Sequence, residues 1–343
     1  MLSKKWSKMN FLTTRLSGGI TSAPILAVIR PDGGFPDVKG GPAPIYDEMS
    51  AQPDTLARFA AAKVPEAPRG SILAGAGDSY AAALAGQYAS DGTCLAVDPY
   101  ALATNPKMAE GRDVFFISVS GKTSSNVRAA QEVRKLARHT TAVTAVPGSP
   151  LAELADGVVA LPMKYAPKTP GILSFCLSLL AVMKITGQDC QGDFVESYNR
   201  AKGVTTVSFA KGVTYFLGNH LAFPVAIYAA AKTYEFLGSV AQGEQLEEFS
   251  HMQLFSMTRS DVVNAFSAFD PYAISKKLSA AVKDQRYVSN LIPDRGSTLA
   301  ERLFYSVFVV QLSVLKEARL RGLSEPKFLT DKGRLAISDS MIY

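Results

Sequence analysis

The sequence predicts an α/β fold made of two doubly wound parallel sheets, each flanked by helices. Short continuous apolar runs, such as SILA at 71–74 and DVFFISV at 113–119, read as strands buried on both faces, as in a parallel sheet. These runs alternate with helical segments in the pattern of βαβ units. At 343 residues the chain exceeds what one core usually holds, so two halves are expected.

Composition narrows the function classes. With 47% hydrophobic and 19% charged residues the chain is globular, neither disordered nor fibrous. A net charge of +6, without a dense basic run beyond the short Lys4–Lys8 cluster, suits anionic small molecules and does not call for nucleic acid. The cysteines, Cys94, Cys176 and Cys190, are odd in number and lie outside any metal-ligand spacing, which points to buried thiols in a reducing compartment. Thr13, Thr14, Arg15, Gly18 and Gly19 interrupt the basic N-terminal stretch before it could form a signal-peptide core. The longest apolar run, Ile172 to Met183, is too short to span a bilayer and reads as a buried helix. A cytoplasmic protein without metal or cofactor is expected.

In order along the chain, residues 1–43 combine a short PILAVI strand with a Pro/Gly-rich passage and read as an arm or linker. YDEMSAQPDTLARFAAA, from Tyr46 to Ala62, reads as a helix pair broken at Pro53. A first half, 44–192, then runs through SILA, the glycine turn GAGDSY with its helix, the strand CLAVD, DVFFISV with its hydroxyl-rich turn and helix, the strand TTAVTAV, a short helix in PGSPLAELAD, the strand GVVALP and the apolar helix. A second half, 193–343, repeats the plan. It contains a helix, the strand VTYFLG, the helical PVAIYAAAKTYEFLG, the strand DVVNAFSAF, a helix from Pro271 to Asp284, the strand RYVSNLI and a long helix from Leu299 to Leu320. The tail, GLSEPKFLTDKGRLAISDSMIY, reads as irregular and polar.

Two turns at strand ends carry the chemistry of the first half. GAGDSY lacks the third glycine of a dinucleotide fingerprint, Tyr80 standing there, and the turn at Gly121 lacks the first glycine of a P-loop, Phe116 standing there. What remains are hydroxyls and backbone amides at helix N-termini: Gly77 and Ser79 on one turn, and Ser118, Ser120, Gly121 and Thr123 on the other. A single such hydroxyl reads as an N-cap. Several on neighbouring turns read as a cradle for the outer oxygens of a phosphate ester, to which Lys122 adds charge if it points inward.

The second half concentrates its charge between Lys232 and His251. Lys232 and Glu235 are three apart and share a helix face, Glu244, Glu247 and Glu248 follow, and His251 closes the stretch. A solvated helix is the plain reading of such charge.

The order G-x-G-x-S, S-x-S-G-x-T, Lys-x-x-Glu and a distal His resembles the sugar isomerase (SIS) family. Its nearest likeness is to the isomerase half of glucosamine-6-phosphate synthase and its deaminase and deglycase relatives. The resemblance covers roughly residues 46–335 and includes the E-x-x-x-Q-P wording at Glu48–Pro53. It implies tandem SIS domains and a phosphosugar substrate held by Ser79, Ser118, Ser120 and Thr123 with the glycines Gly77 and Gly121. It implies that Glu235 moves a proton between C1 and C2, and that His251, sixteen residues later, assists ring opening, commonly from the neighbouring subunit of a homodimer. Lys232 and Glu248 match the family's lysine and acidic residue, and Lys332 is an approximate counterpart, one residue out of register, of its C-terminal lysine.

These roles agree with general chemistry. A carboxylate desolvated in a cleft can exchange a carbon-bound proton, an imidazole titrating near neutrality suits ring opening, and an ammonium can stabilise an enediolate. The chain departs from the family at Met252-Gln253, where Gly-Pro is usual, and at Lys122, where an acid is usual. The reading is a cytoplasmic, metal-independent enzyme acting on a hexose 6-phosphate such as glucosamine 6-phosphate or fructose 6-phosphate. A fructosamine-6-phosphate deglycase and a non-catalytic phosphosugar-binding regulator are the alternatives.

Overall fold

The structure, a computed structural model, describes residues 43–204 and 206–343. The arm, with its PILAVI strand, lies outside the described residues apart from Ala43.

The first helix, α1 (Ala43–Ala60), runs unbroken through Pro53, which corrects the expected helix pair. Proline removes the hydrogen bond to the carbonyl four residues back, that of Met49. The Gln52 side chain reaches that same carbonyl at 3.5 Å, so it is not left bare.

Two parallel sheets follow. The first holds β1 (Ile72–Gly75), β2 (Leu95–Val97), β3 (Asp113–Ile117), β4 (His139–Thr144) and β5 (Gly157–Ala160), in the order β2-β1-β3-β4-β5. The second holds β6 (Thr214–Leu217), β7 (Ala241–Glu244), β8 (Val262–Phe266) and β9 (Val288–Ile292), in the order β7-β6-β8-β9. In each sheet the second strand lies on one side of the first and the third on the other. The order therefore reverses between β1 and β3 and between β6 and β8. Loops at the carboxyl ends of such strands splay apart and leave a crevice, the usual ligand seat of open α/β sheets. The turns at 76–77 and 118–123 follow β1 and β3, so both candidate cradles open at this crevice.

The helices in chain order are α2 (Asp78–Ala89), α3 (Pro99–Thr104), α4 (Ser124–Val133), α5 (Pro150–Leu154), α6 (Leu173–Ile185), α7 (Phe194–Lys202), α8 (Ala222–Lys232), α9 (Leu246–His251), α10 (Ile274–Asp284), α11 (Leu299–Leu320), α12 (Lys327–Thr330) and α13 (Lys332–Ile342). Strand alternation sorts their partners. Leu73, Phe115 and Ile117 of the first sheet and Phe216, Phe266 and Ile292 of the second share one continuous core with α1, α2, α6, α7, α8 and α11. The opposite faces pack elsewhere: Ile72, Val114 and Phe116 against α3, α4 and α5, and Tyr215, Leu217 and Val263 against residues of α9 and α10.

Three elements were not expected. β7 forms in AQGE, a segment poor in β-formers, because it pairs in register with β6. The tail forms α12 and α13 instead of irregular chain, and α13 starts on the Asp331 side chain, which accepts from the Arg334 amide at 3.0 Å. No residue of α13 is buried, so the tail has no apolar stripe from which a helix could be read.

The long helix α11 begins with a capping box. The Thr298 hydroxyl accepts from the Glu301 amide at 3.1 Å while the Glu301 carboxylate reaches back to the Thr298 amide. Thr298→Ala should lower the unfolding free energy by about 1 kcal/mol with an unchanged urea m-value. Equilibrium urea unfolding checks it.

Candidate active site

The site grows from α8. Pro224, Val225, Ala226, Tyr228, Ala229 and Ala230 bury most of this helix against α2 and α11. Its last residue, Lys232, is drawn wholly into the protein, with none of its side-chain surface exposed. The helix then widens into a π-helical turn over Thr233–Leu237, and Gly238, at φ 61°, closes it in the left-handed region. Glu235 sits on that turn.

Lys232 Nζ bridges two carboxylates, lying 2.6 Å from Glu235 Oε2 and 2.8 Å from Asp78 Oδ2. It also lies 5.2 Å from the centre of the Tyr228 ring. Burial opposes the lysine's charge, but the two carboxylates outweigh it and hold its proton more tightly than in an ordinary lysine. Burial pushes the Glu235 carboxyl above its ordinary value. Lys232 pulls it back, and the negative charge of Asp78 adds to the rise. The two acids keep 23% and 31% of their side-chain surfaces exposed, so solvent reaches the carboxylates and not the ammonium.

A buried frame holds the cluster. Gln52 of α1 donates to Gln311 of α11 at 2.9 Å, Gln311 donates to the Tyr228 hydroxyl at 3.0 Å, and that hydroxyl donates to the Gly171 carbonyl at 2.8 Å. Tyr228 stacks on Phe175 of α6, the ring centres 3.8 Å apart. Gly171 leaves room for the contact between Asp78 and Lys232, because a Cβ there would lie 2.1 Å from Asp78 Oδ2 and push it aside. Glu48 caps the same corner, its carboxylate accepting from the Leu173 amide at 2.8 Å. Burial pushes that carboxyl above its ordinary value, against the pull of the Leu173 amide and Lys232. The E-x-x-x-Q-P wording is thus two structural contacts, one from Glu48 and one from Gln52.

Of the two hydroxyl turns, the first adjoins Asp78 in the chain and the second follows β3. Asp78 opens α2 directly after Gly77, which adopts φ 58°, and Ser79 follows it half-buried. After β3, Ser118 and Ser120 are buried and the Ser118 and Thr123 hydroxyls lie 3.2 Å apart. Ser120 Oγ accepts from the Lys122 amide at 3.2 Å, and the Lys122 side chain is exposed. Gly121, at φ 61°, leaves no room for a side chain, since a Cβ would fall 1.9 Å from Ser149 Oγ. Asn126, on the first turn of α4, buries a side-chain amide whose oxygen and nitrogen have no hydrogen-bond partner. The Tyr165 phenol, placed against Tyr343 and Ser120, is pushed up to about 12, chiefly by burial.

The other expected site residues make no hydrogen bond or ion pair to this cluster. Glu248 and His251 are exposed on α9, and His251 Nε2 stands 3.8 Å from Glu247. Lys332 is exposed at the first turn of α13, on the rim of a shallow recess of about 530 Å³ lined with Lys327, Thr330, Asp331 and Arg334. Only its neighbour α12 approaches the centre, packing on the π turn of Glu235. The structure therefore joins Lys232 to Glu235 by an ion pair, and no hydrogen bond or ion pair ties Glu248, His251 or Lys332 to them within the described residues. Sequence reasoning missed Asp78, which lies 154 residues from Lys232, too far for any spacing rule to connect. Its visible signal was an acid inside a turn otherwise suited to anions.

Residues 69–185 match the sequence model of the SIS domain family. No curated protein matches the chain in sequence. Solved structures resemble it in fold. Glucosamine-6-phosphate deaminase of Thermotoga maritima is 19% identical, with a TM-score of 0.65 over 81% of this chain and 95% of that one. Tagatose-6-phosphate ketose/aldose isomerase of Escherichia coli is 17% identical, with a TM-score of 0.57 over 83% and 90%. The C-terminal domain of glucosamine-fructose-6-phosphate aminotransferase of Francisella tularensis is 15% identical, with a TM-score of 0.57 over 82% and 97%.

Lys232→Met should destabilise the protein by about 2–4 kcal/mol, below the loss usual for a fully buried pair because both carboxylates retain solvent access. Part of that loss should be recovered at acid pH, where the two acids neutralise. Urea unfolding across pH checks both.

Proposed function

We propose that this chain, which carries an SIS domain over residues 69–185, is an enzyme that exchanges a proton between adjacent carbons of a hexose 6-phosphate. The observation that carries this reading is the Glu235 carboxylate, half withdrawn from water and fixed by a buried ammonium at 2.6 Å. A carboxylate so placed keeps one orientation and a raised proton affinity, the two properties a carbon-acid base needs.

The chemistry follows. In the open-chain sugar, Glu235 takes the proton from the carbon beside the carbonyl, and the electrons of that C–H bond form the double bond of an enediol(ate). The proton returns from Glu235 to the neighbouring carbon. When C2 carries an amine, proton transfer from C2 to C1 leaves an imine at C2, which one water hydrolyses to the ketose and ammonia. Glucosamine 6-phosphate yielding fructose 6-phosphate is the version to test first. The phosphate would rest on Ser79, Ser118, Ser120 and Thr123 with the backbone at Gly77 and Gly121. Their position at the β1/β3 crevice and the unpaired amide of Asn126 support an anion there.

Lys232 acts from behind the base. Its burial supports a positioning role in place of direct contact with an enediolate. His251 and Glu248 are proposed to serve a second copy of the chain. His251 keeps 72% of its side chain exposed and stands beside exposed Met252 and Phe255, the latter 84% exposed, which supports a homodimer with the site at its interface.

A panel of hexose and hexosamine 6-phosphates, scored for ketose and for ammonia, tests the reading. Turnover is expected on at least one member, and binding without turnover would favour the regulator. Release of a free amino acid from fructosamine 6-phosphate alone would assign the deglycase. On the accepted substrate, Glu235→Gln should lower kcat by about 10³-fold or more. Because Glu235 must be deprotonated to act and its proton affinity is raised, activity should climb with pH along a limb above the ordinary glutamate range. A pH–kcat profile locates that limb.

A further inference from the structure

We propose that Asp78 is a positioning residue of this site, tying the glycine turn after β1 to the base Glu235 through the shared ammonium of Lys232. The inference rests on the reading of Glu235 as the base.

The geometry is specific. Asp78 is the first residue of α2, directly between Gly77 and Ser79 of the turn expected to hold phosphate. Helix N-termini favour acids, so a plain account would leave its carboxylate on the amides of its own first turn. Instead the helix has no side-chain cap, and Oδ2 lies 2.8 Å from a lysine on another helix. That lysine has no solvent to fall back on, and its remaining anionic contact is Glu235 at 2.6 Å. Gly171 lies against the same oxygen, its missing Cβ leaving the room that Oδ2 occupies. One side chain of the turn is thus locked to the lysine that aims the base.

Two effects follow. With Asp78 present, Lys232 divides its attraction between two acids, so Glu235 remains a stronger base than it would be as the sole partner of a buried ammonium. A shift of the turn on binding phosphate would also be felt at Glu235 through a single intervening side chain. The groups facing Glu235 come from several elements. Lys232 and the Tyr228 hydroxyl belong to α8 and Asp78 to α2, with Glu48 of α1 and Cys176 of α6 behind them. On the outer side, Lys327 of α12 lies against Gly238, while Arg321, just past α11, is engaged by Glu317 and Ser239. Among these, only Asp78 and Glu235 are acids bonded to the lysine.

The test is a carbon-13 titration of the Glu235 carboxyl in the full chain, run beside the pH dependence of kcat. In Asp78→Asn the Glu235 titration should move to lower pH, since the neighbouring negative charge is gone and Lys232 acts on Glu235 alone. The acid limb of kcat should move with it, kcat should drop by about tenfold, and KM should change far less. Asp78→Glu, which keeps the charge, should restore most of the wild-type titration. A folded Asp78→Asn whose Glu235 titrates as in wild type would overturn the proposal, because a purely structural role moves stability and leaves that titration alone. If Asp78→Asn does not fold, Gly171→Ala is read in its place. Its methyl group displaces Asp78 Oδ2 and should shift Glu235 in the same direction, and an unmoved titration there overturns the proposal equally. Absence of turnover on every sugar phosphate would count against the functional reading, and the carboxyl titration would still decide the role of Asp78.

Discussion

The arrangement depends on one buried charge. Lys232 carries an ammonium with no exposed surface, and a lone ammonium in such a place would lose its proton or unfold the region around it. Two carboxylates prevent both outcomes, one from the same helix and one from the first half of the chain. Because the two acids arrive from different sheets' connections, the ion cluster fixes how α2 and α8 lie against each other. It fixes the direction of Glu235 at the same time.

The surrounding frame can be understood from that need. Gln52, Gln311 and Tyr228 pass a chain of hydrogen bonds from α1 through α11 to α8, ending on the carbonyl of Gly171. None of these groups is charged; Tyr228 lies in the continuous core that joins the two sheets, and Gln52 and Gln311 are buried. They hold the corner at 171–173 against Asp78 without adding further charge to a crowded, water-poor place. Ion pairs of this kind seldom improve on a well-packed apolar core in stability, so their presence here is better explained by orientation of a reactive group.

Much of the fold was legible because parallel strands buried on both faces leave unmistakable apolar runs. β1, β3, β6, β8 and α11 all stand where DVFFI, TYFL and similar segments put them. β7 and α13 were not legible: AQGE becomes a strand only by pairing with β6, and α13 has no buried face to imprint a period. The site divides in the same way. Lys232 and Glu235 share a helix and could be paired by spacing, whereas Asp78 meets them only in three dimensions. Pro53 misled for a local reason, since the Met49 carbonyl it strips is met by the side chain of the residue just before it. His251 illustrates a further limit, for spacing alone does not say what a residue touches in the fold, and here it stands exposed on α9.

The central claim is that Glu235 moves a proton on and off carbon. Incubating the accepted sugar phosphate with enzyme in deuterated water and following the proton resonance at C2 tests it most directly. The account predicts wash-in of deuterium at that carbon with the wild-type protein and none above background with Glu235→Gln. Wash-in at an undiminished rate in the folded Glu235→Gln protein would contradict it.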